Sequence, residues 1–329
     1  MVQPARFMEL APKNAAPRGP DRTPQRVAVT GTTGRLGGAL LRRWGRGVDP
    51  ALTVIALDRS AVPLDRPDEI QAALANIEFD TLVHCAAMTS VDECERQPQL
   101  THQVNALAPA ALARECRRRG ARMLHVSTDY VFAGQSPGLR TENDPCQPLS
   151  VYGRAKLAAE EAVLEQLPDA IVARVSWVFG PEKPSFIDSL LARALSQSEV
   201  AAIADKWSTP SYTADLADWF LALLRHPQAS GVIHTCNRGP CSWRQLGQFA
   251  LDTAADLGLP LRAREVAPLS LADFPNFIAP RPVHTAMATD HLAALLGIEV
   301  PDWQDAVRRY LLDLNKNGTS LLCSRRSIV

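Results

Sequence analysis

Tyr152 and Lys156 stand four residues apart in VYGRAKLAAEE, a stretch that predicts the start of a helix, so both fall on one helix face a turn apart. A phenol with a pKa of about 10 releases its proton poorly at neutral pH, and an ammonium beside it favours the anion. The pair therefore makes a candidate general acid for a carbonyl oxygen. Upstream, HVSTDYVFAG runs from an apolar strand pattern into a turn carrying Ser127, Thr128, Asp129 and Tyr130 in succession. The carboxyl ends of strands are where α/β sheets bind ligands. Thr128 is placed to hold a carbonyl in line with the Tyr152 proton, which makes Thr128, Tyr152 and Lys156 a candidate catalytic set.

A second motif supplies a partner for that chemistry. VAVTGTTGRLGG sets Gly31, Gly34 and Gly37 at the end of a predicted strand and the start of a helix, with the spacing G-x-x-G-x-x-G. The first glycine permits a tight turn, the second lets backbone approach a phosphate, and the third lets the helix sit close to the sheet. Glycines also mark ordinary turns, but this position predicts a dinucleotide site. The next strand ends in Asp58, which could accept from an adenosine ribose, followed by Arg59, which could pair with a 2′-phosphate. The two point to NAD and NADP respectively, and the residues leave that choice open.

These groups need a frame, and the chain supplies one. RVAVTG, TVIALD, TLVHCAA, RMLHVSTDYVF and AIVARVSWVFG are continuous apolar runs, as suits strands covered on both faces, and amphipathic segments lie between them. Alternation of this kind predicts an α/β fold: a doubly wound, Rossmann-type parallel sheet. After residue 180 proline becomes frequent and helices mix with long loops, which predicts a smaller mixed α/β substrate-binding lobe. The expected partition is a disordered leader at 1–25 and an NAD(P)-binding domain at 26–180 with 212–235 packing back on it. The lobe takes 181–211 and 236–312, and a tail takes 313–329.

Composition narrows the partners. Lys plus Arg and Asp plus Glu both number 35, so no global field draws the 329-residue chain to nucleic acid or an anionic membrane. No stretch has the length of apolar sequence that a spanning helix needs. The seven cysteines are scattered without ligand spacing and read as free thiols of a reducing, cytoplasmic compartment. The histidines show no i, i+4 pairing, so no metal site is predicted.

Taken together, HCAAMTSVDECE, QVNALAPAALA, HVSTDYVFAG, PLSVYGRAKLAAEEAV, RVSWVFG, ADKWSTPSYTADLA and RPVHTAM resemble stretches of the extended short-chain dehydrogenase/reductases. Within them the chain is similar to the dTDP-4-dehydrorhamnose reductases. The resemblance implies reduction of the 4-keto group of a nucleotide-activated 6-deoxyhexose with NADP(H) or NAD(H), in dTDP-L-rhamnose synthesis, by a homodimer. It implies that Arg35 and Leu36 complete the phosphate turn, that Asp65 lies near the adenine, and that Ala86, Ala87 and Thr89 lie along the ribose and pyrophosphate. It also implies that Tyr130 and Trp177 pack at the sugar and that Arg281 holds the sugar nucleotide's diphosphate.

The departures fall mainly on the substrate side. HCAAM replaces the usual N-A-A-A, STPS stands where G-S-P-T is common, and VHTAM replaces an N-S-x-L-D pattern. Related sugar-nucleotide dehydratases carry an Asp-Glu pair after the strand-end threonine; here Asp129 is followed by Tyr130, which disfavours elimination. Two alternatives stay open: a non-catalytic binding homologue like the regulatory subunit of methionine adenosyltransferase, and a reductase or epimerase acting on another sugar nucleotide or ketone.

Overall fold

Six short apolar runs of this chain pair side by side in a computed structural model that describes residues 26–45, 49–274 and 276–316. The expected leader at 1–25, and residues 317–329 of the expected tail, lie outside the described residues. The strands are β1 (Arg26–Thr30), β2 (Thr53–Leu57), β3 (Thr81–His84), β4 (Arg122–Thr128), β5 (Ile171–Val175) and β6 (Gly231–His234). All pair in parallel, in the order β6-β5-β4-β3-β1-β2. From β1 the chain goes outward to β2, then crosses back to β3 on the other side of β1. The reversal opens a crevice beyond the carboxyl ends of β1 and β3.

The main helices are α1 (Arg35–Trp44), α2 (Ala108–Arg119), α3 (Val151–Gln166), α4 (Phe186–Ser196), α5 (Thr213–Arg225), α6 (Trp243–Asp256) and α7 (Trp303–Lys316). Strand alternation sorts the sheet's side chains between two cores. Val27, Val29, Val83 and Leu124 pack with Leu40 of α1 and Leu216 and Phe220 of α5. Ala28, Leu82, Met123 and Val172 pack with Leu112 and Cys116 of α2 and Val163 of α3. Each fully buried Val, Leu or Phe contributes roughly 1.5–3 kcal/mol by leaving water.

A third core belongs to the C-terminal lobe, where α4, α6 and α7 pack around Ile187, Leu190, Leu251 and Val307. Phe179 stacks on Tyr212 with ring centres 5.3 Å apart, and Tyr310 meets both rings. The lobe's edges differ from the expected ones. Leu314 packs into this core, so α7 continues past residue 312 to Lys316. In the opposite sense, Leu292 and Val300 join the sheet-side core, where the Asp290–Leu296 helix lies against the edge strand β6. An edge strand needs such a cover.

The glycine turn shows why its residues have no side chains. Gly31 has a φ of 70°, and a Cβ there would stand 2.7 Å from the Ala86 amide nitrogen. A Cβ on Gly37 would press on the Gly31 carbonyl. Gly37→Ala should therefore lower unfolding free energy by about 1–3 kcal/mol, the usual range for overpacking, with a parallel loss of dinucleotide affinity. Urea denaturation and calorimetric titration read the two effects separately.

Candidate active site

The crevice is a cavity of about 840 Å³ that runs from the glycine turn to the helix carrying Tyr152 and Lys156. Gly31, Gly34, Arg35, Leu36, Gly37, Asp58, Arg59, Asp65, Ala86, Ala87 and Thr89 line it from the β1, β2 and β3 side. Thr128, Tyr130, Tyr152, Lys156 and Trp177 line it from the β4, β5 and α3 side. Of the residues singled out in the sequence, Arg281 alone is outside the lining. The backbone cradle at Gly31 and Gly37, which a Cβ would fill, fits a pyrophosphate on the N-terminus of α1.

Two charged residues of this group are committed elsewhere. Arg35 donates to the carbonyl oxygens of Val178 (3.0 Å), Lys183 (3.2 Å) and Pro184 (2.5 Å), tying the phosphate turn to the loop that leads into the lobe. Asp58 Oδ1 accepts from the Ser60 amide (2.9 Å), the Ser60 hydroxyl (2.6 Å) and the Ala61 amide (2.9 Å). Through that oxygen Asp58 shapes the turn after β2, and both Asp58 and Arg59 stay at the cavity wall.

The polar end of β4 sends four consecutive side chains in four directions. Ser127 donates to Glu160 on α3. Thr128 faces the cavity, donates to Asp129 Oδ1 (3.2 Å) and accepts from the Tyr130 amide (3.2 Å). Asp129 is buried, and its Oδ2 accepts from Ser208 (2.8 Å) and Thr285 (2.5 Å) of the lobe. The Tyr130 ring stands edge-on to Tyr152, with centres 5.8 Å apart.

Tyr152 and Lys156 share a helix face, but their polar ends diverge. Burial pushes the Tyr152 phenol above its ordinary range, while a hydrogen bond with Thr128 pulls the other way. Lys156 turns to the sheet: Nζ donates to the Val126 carbonyl (2.6 Å) and lies 3.0 Å from His125 Nε2. Burial pushes this lysine down to about 8, with the Glu160 charge opposing. The sequence suggested an ammonium that makes the phenol acidic; in the fold desolvation dominates and keeps Tyr152 protonated. A protonated phenol is the form that a reduction consumes.

Asn105 and Lys206 escaped the sequence reading, whereas Arg281 and Trp177 did not. Asn105 sits in a π-helical turn, Gln103–Leu107, from which its side chain accepts from the Met88 amide (2.8 Å) and donates to the Met88 carbonyl (2.8 Å). That pins the 86–89 loop along the cavity; a buried Asn inside a helical pattern was the available signal. Lys206 is fully buried, donates to the Pro282 carbonyl (2.5 Å) and stands 5.0 Å from the Tyr130 ring and 5.9 Å from that of Trp177. Arg281 pairs with Asp92 Oδ2 (2.9 Å), whose other oxygen accepts from the Ile278 (3.1 Å) and Ala279 (3.0 Å) amides. Trp177 has a φ of 40°, the only positive φ among described non-glycine residues, and its buried indole N–H has no partner among the described residues. Strain of this kind gathers at functional sites.

A family model described as the RmlD substrate binding domain matches residues 25–316. The chain belongs to that family. Among its relatives, a probable dTDP-4,6-dihydroxy-2-methyloxan-3-one 4-ketoreductase of Streptomyces antibioticus is 35% identical over 88% of this chain and 95% of its own. A dTDP-4-dehydrorhamnose reductase of Mycolicibacterium smegmatis is 32% identical over 86% and 84% respectively. The crystal structure of the Bacillus anthracis dTDP-4-dehydrorhamnose reductase in complex with NADP superposes with a TM-score of 0.80 at 26% identity, covering 88% of this chain and 99% of that one. Membership of the RmlD family fits the parallel sheet and the cavity at its switch point. No helix among the described residues is long and apolar enough to cross a membrane.

The buried lysine gives a pH test of the geometry. Lys156 titrates near 8 in the folded protein and at 10.5 when unfolded, so between these values the unfolded chain binds more protons and stability rises with pH. Subtracting the stability of Lys156→Met isolates this contribution from other buried groups. The difference should climb by up to about 1.4 kcal/mol per pH unit from pH ~8 to ~10, as read by urea denaturation at each pH.

Proposed function

We propose that this protein is an NADPH-dependent reductase of the 4-keto group of dTDP-linked 6-deoxyhexoses, with dTDP-4-dehydrorhamnose as its substrate. The observation that carries the reading is that Thr128, Tyr152 and Lys156 stand together on the wall of the cavity that begins at the glycine turn. The reduced nicotinamide would supply the hydride. Gly31, Gly34 and Gly37 would hold its pyrophosphate, and Lys156 its ribose. Thr128 orients the carbonyl oxygen, and Tyr152 gives that oxygen its phenolic proton as the alcohol forms. Trp177 and Tyr130 would offer their rings to the sugar.

Reduction is favoured over elimination because Asp129 is taken up by three hydroxyls and Tyr130 follows it. NADPH is favoured over NADH because Arg59, a partner for a 2′-phosphate, lines the cavity and the Bacillus anthracis relative is in complex with NADP. The relatives named as dTDP-sugar ketoreductases support the substrate class. The same reading includes a cytoplasmic homodimer, for which size-exclusion chromatography with light scattering is the check on assembly.

Purified protein given NADPH and a panel of dTDP-4-keto-6-deoxyhexoses should oxidise the cofactor; nucleotide binding without turnover on any keto sugar would instead favour a binding homologue. Tyr152→Phe should lower kcat by ~10² to 10⁴ while the NADPH dissociation constant stays within about twofold. Arg59→Ala should raise KM for NADPH about tenfold, equivalent to ~1.4 kcal/mol, and leave KM for NADH unchanged.

A further inference from the structure

A column of buried polar groups lies under the cavity, and the chemistry above does not use it. His84 and His125 are register partners on β3 and β4, excluded from solvent, with rings stacked at 5.3 Å and an interplanar angle of 20°. Thr30 Oγ1 lies 2.7 Å from His84 Nδ1, one residue before the glycine turn. At the far end His125 Nε2 faces Lys156 Nζ at 3.0 Å. His84 Nε2 and His125 Nδ1 have no hydrogen-bond partner among the described residues. Unpartnered buried nitrogens weaken a fold, and an apolar pair at the same positions would avoid the penalty.

We propose that His125, backed by His84, is the positioning residue of Lys156: its neutral Nε2 and the Val126 carbonyl take two ammonium protons and leave the third for the cofactor's ribose. The proposal rests on reading the cavity as a dinucleotide site. An ammonium has three donors and no acceptor, so two fixed acceptors set the direction of the remaining N–H. Accepting at Nε2 places the proton of His125 on Nδ1, the atom that has no partner. A histidinium could not accept, and burial together with the Lys156 charge holds His125 well below its ordinary value and His84 down to about 3. His84 keeps the His125 ring flat against it and is itself anchored by Thr30.

The surroundings of Lys156 are consistent with a neutral acceptor. Facing it are His125 on β4, His84 on β3, Cys85 just after β3, and Glu160 on its own helix. Arg174 of β5 binds both oxygens of Glu160, at 2.6 and 3.0 Å, so that carboxylate is neutralised from its other side. A carboxylate at position 125 would fix the ammonium too, but would hold its proton far more tightly. Imidazole sets direction without adding charge.

The test is NADPH binding by calorimetric titration across pH, with no sugar present. His125→Leu should weaken NADPH binding about 10- to 100-fold, the equivalent of one hydrogen bond to a charged group, and shift the alkaline limb of the binding profile. His125→Gln, whose oxygen reaches about as far as Nε2, should restore affinity to within about threefold. A purely structural role would lower Tm while leaving the pH profile in place and the two variants alike. Unchanged affinity and profile in His125→Leu would overturn the proposal. Should His125→Leu fail to fold, His125→Gln is compared with His125→Asn, whose shorter reach cannot meet the ammonium; equal affinities overturn it. Wild-type protein that binds neither NADPH nor NADH would sink this proposal together with the reading it rests on. Binding without turnover on any keto sugar would sink only the substrate assignment.

Discussion

A buried carboxylate joins the sheet to the lobe beside the cavity. Asp129 takes hydroxyl hydrogen bonds from Thr128 at the end of β4 and from Ser208 and Thr285 in the lobe. A buried carboxylate left without donors is strongly destabilising, so the lobe cannot swing away here without removing two of the three. The position of Thr128 is thus set by both halves of the molecule. Thr128 and Tyr152 line the same cavity, so the shape of that wall depends on the same buried charge.

The rest of the site follows from how β4 alternates. Met123, His125 and Ser127 turn to the face covered by α3, and the run changes along the strand from thioether to imidazole to hydroxyl. Lys156 and Glu160, four residues apart on α3, meet the two polar members. One strand face and one helix face therefore bury an ammonium and a carboxylate a turn apart. Each has its own partner: Val126 and His125 for Lys156, Ser127 and Arg174 for Glu160. Separate partners keep the two charges from collapsing onto one another, and Lys156 stays at the cavity wall.

What the sequence made legible was whatever depends on local spacing. The glycine turn, the one-face relation of Tyr152 and Lys156, and the polar strand end are each fixed within a few residues. Direction was not legible where contacts distant in sequence decide it. Arg35 belongs to the glycine turn by position, yet its guanidinium serves carbonyls at 178–184, and Lys156 points to β4 rather than along its own helix. Asn105 and Lys206 act through Met88 and Pro282, partners that no local pattern announces. The lobe boundary moved for the same reason, since Leu292 and Val300 complete a core built mostly from residues far upstream.

The electrostatics of the site point to the charge of its ligands. Lys156 and Lys206 are both buried, and desolvation brings each down to about 8; the nearby Arg281 lowers Lys206 further while Asp129 opposes. Among the described residues neither ammonium has a carboxylate within ion-pairing distance, and their fixed contacts are neutral: carbonyls, an imidazole and aromatic rings. Poorly solvated cations in a low-dielectric wall attract anions more strongly than surface cations do. A chain with no net charge can therefore still present a poorly solvated ammonium, Lys156, at the cavity wall. An anion bound there would raise the proton affinity of Lys156, so the wall becomes more firmly cationic as it fills. That coupling favours a neutral partner for Lys156: an ion pair in place of His125 would have cancelled the charge the ligands respond to.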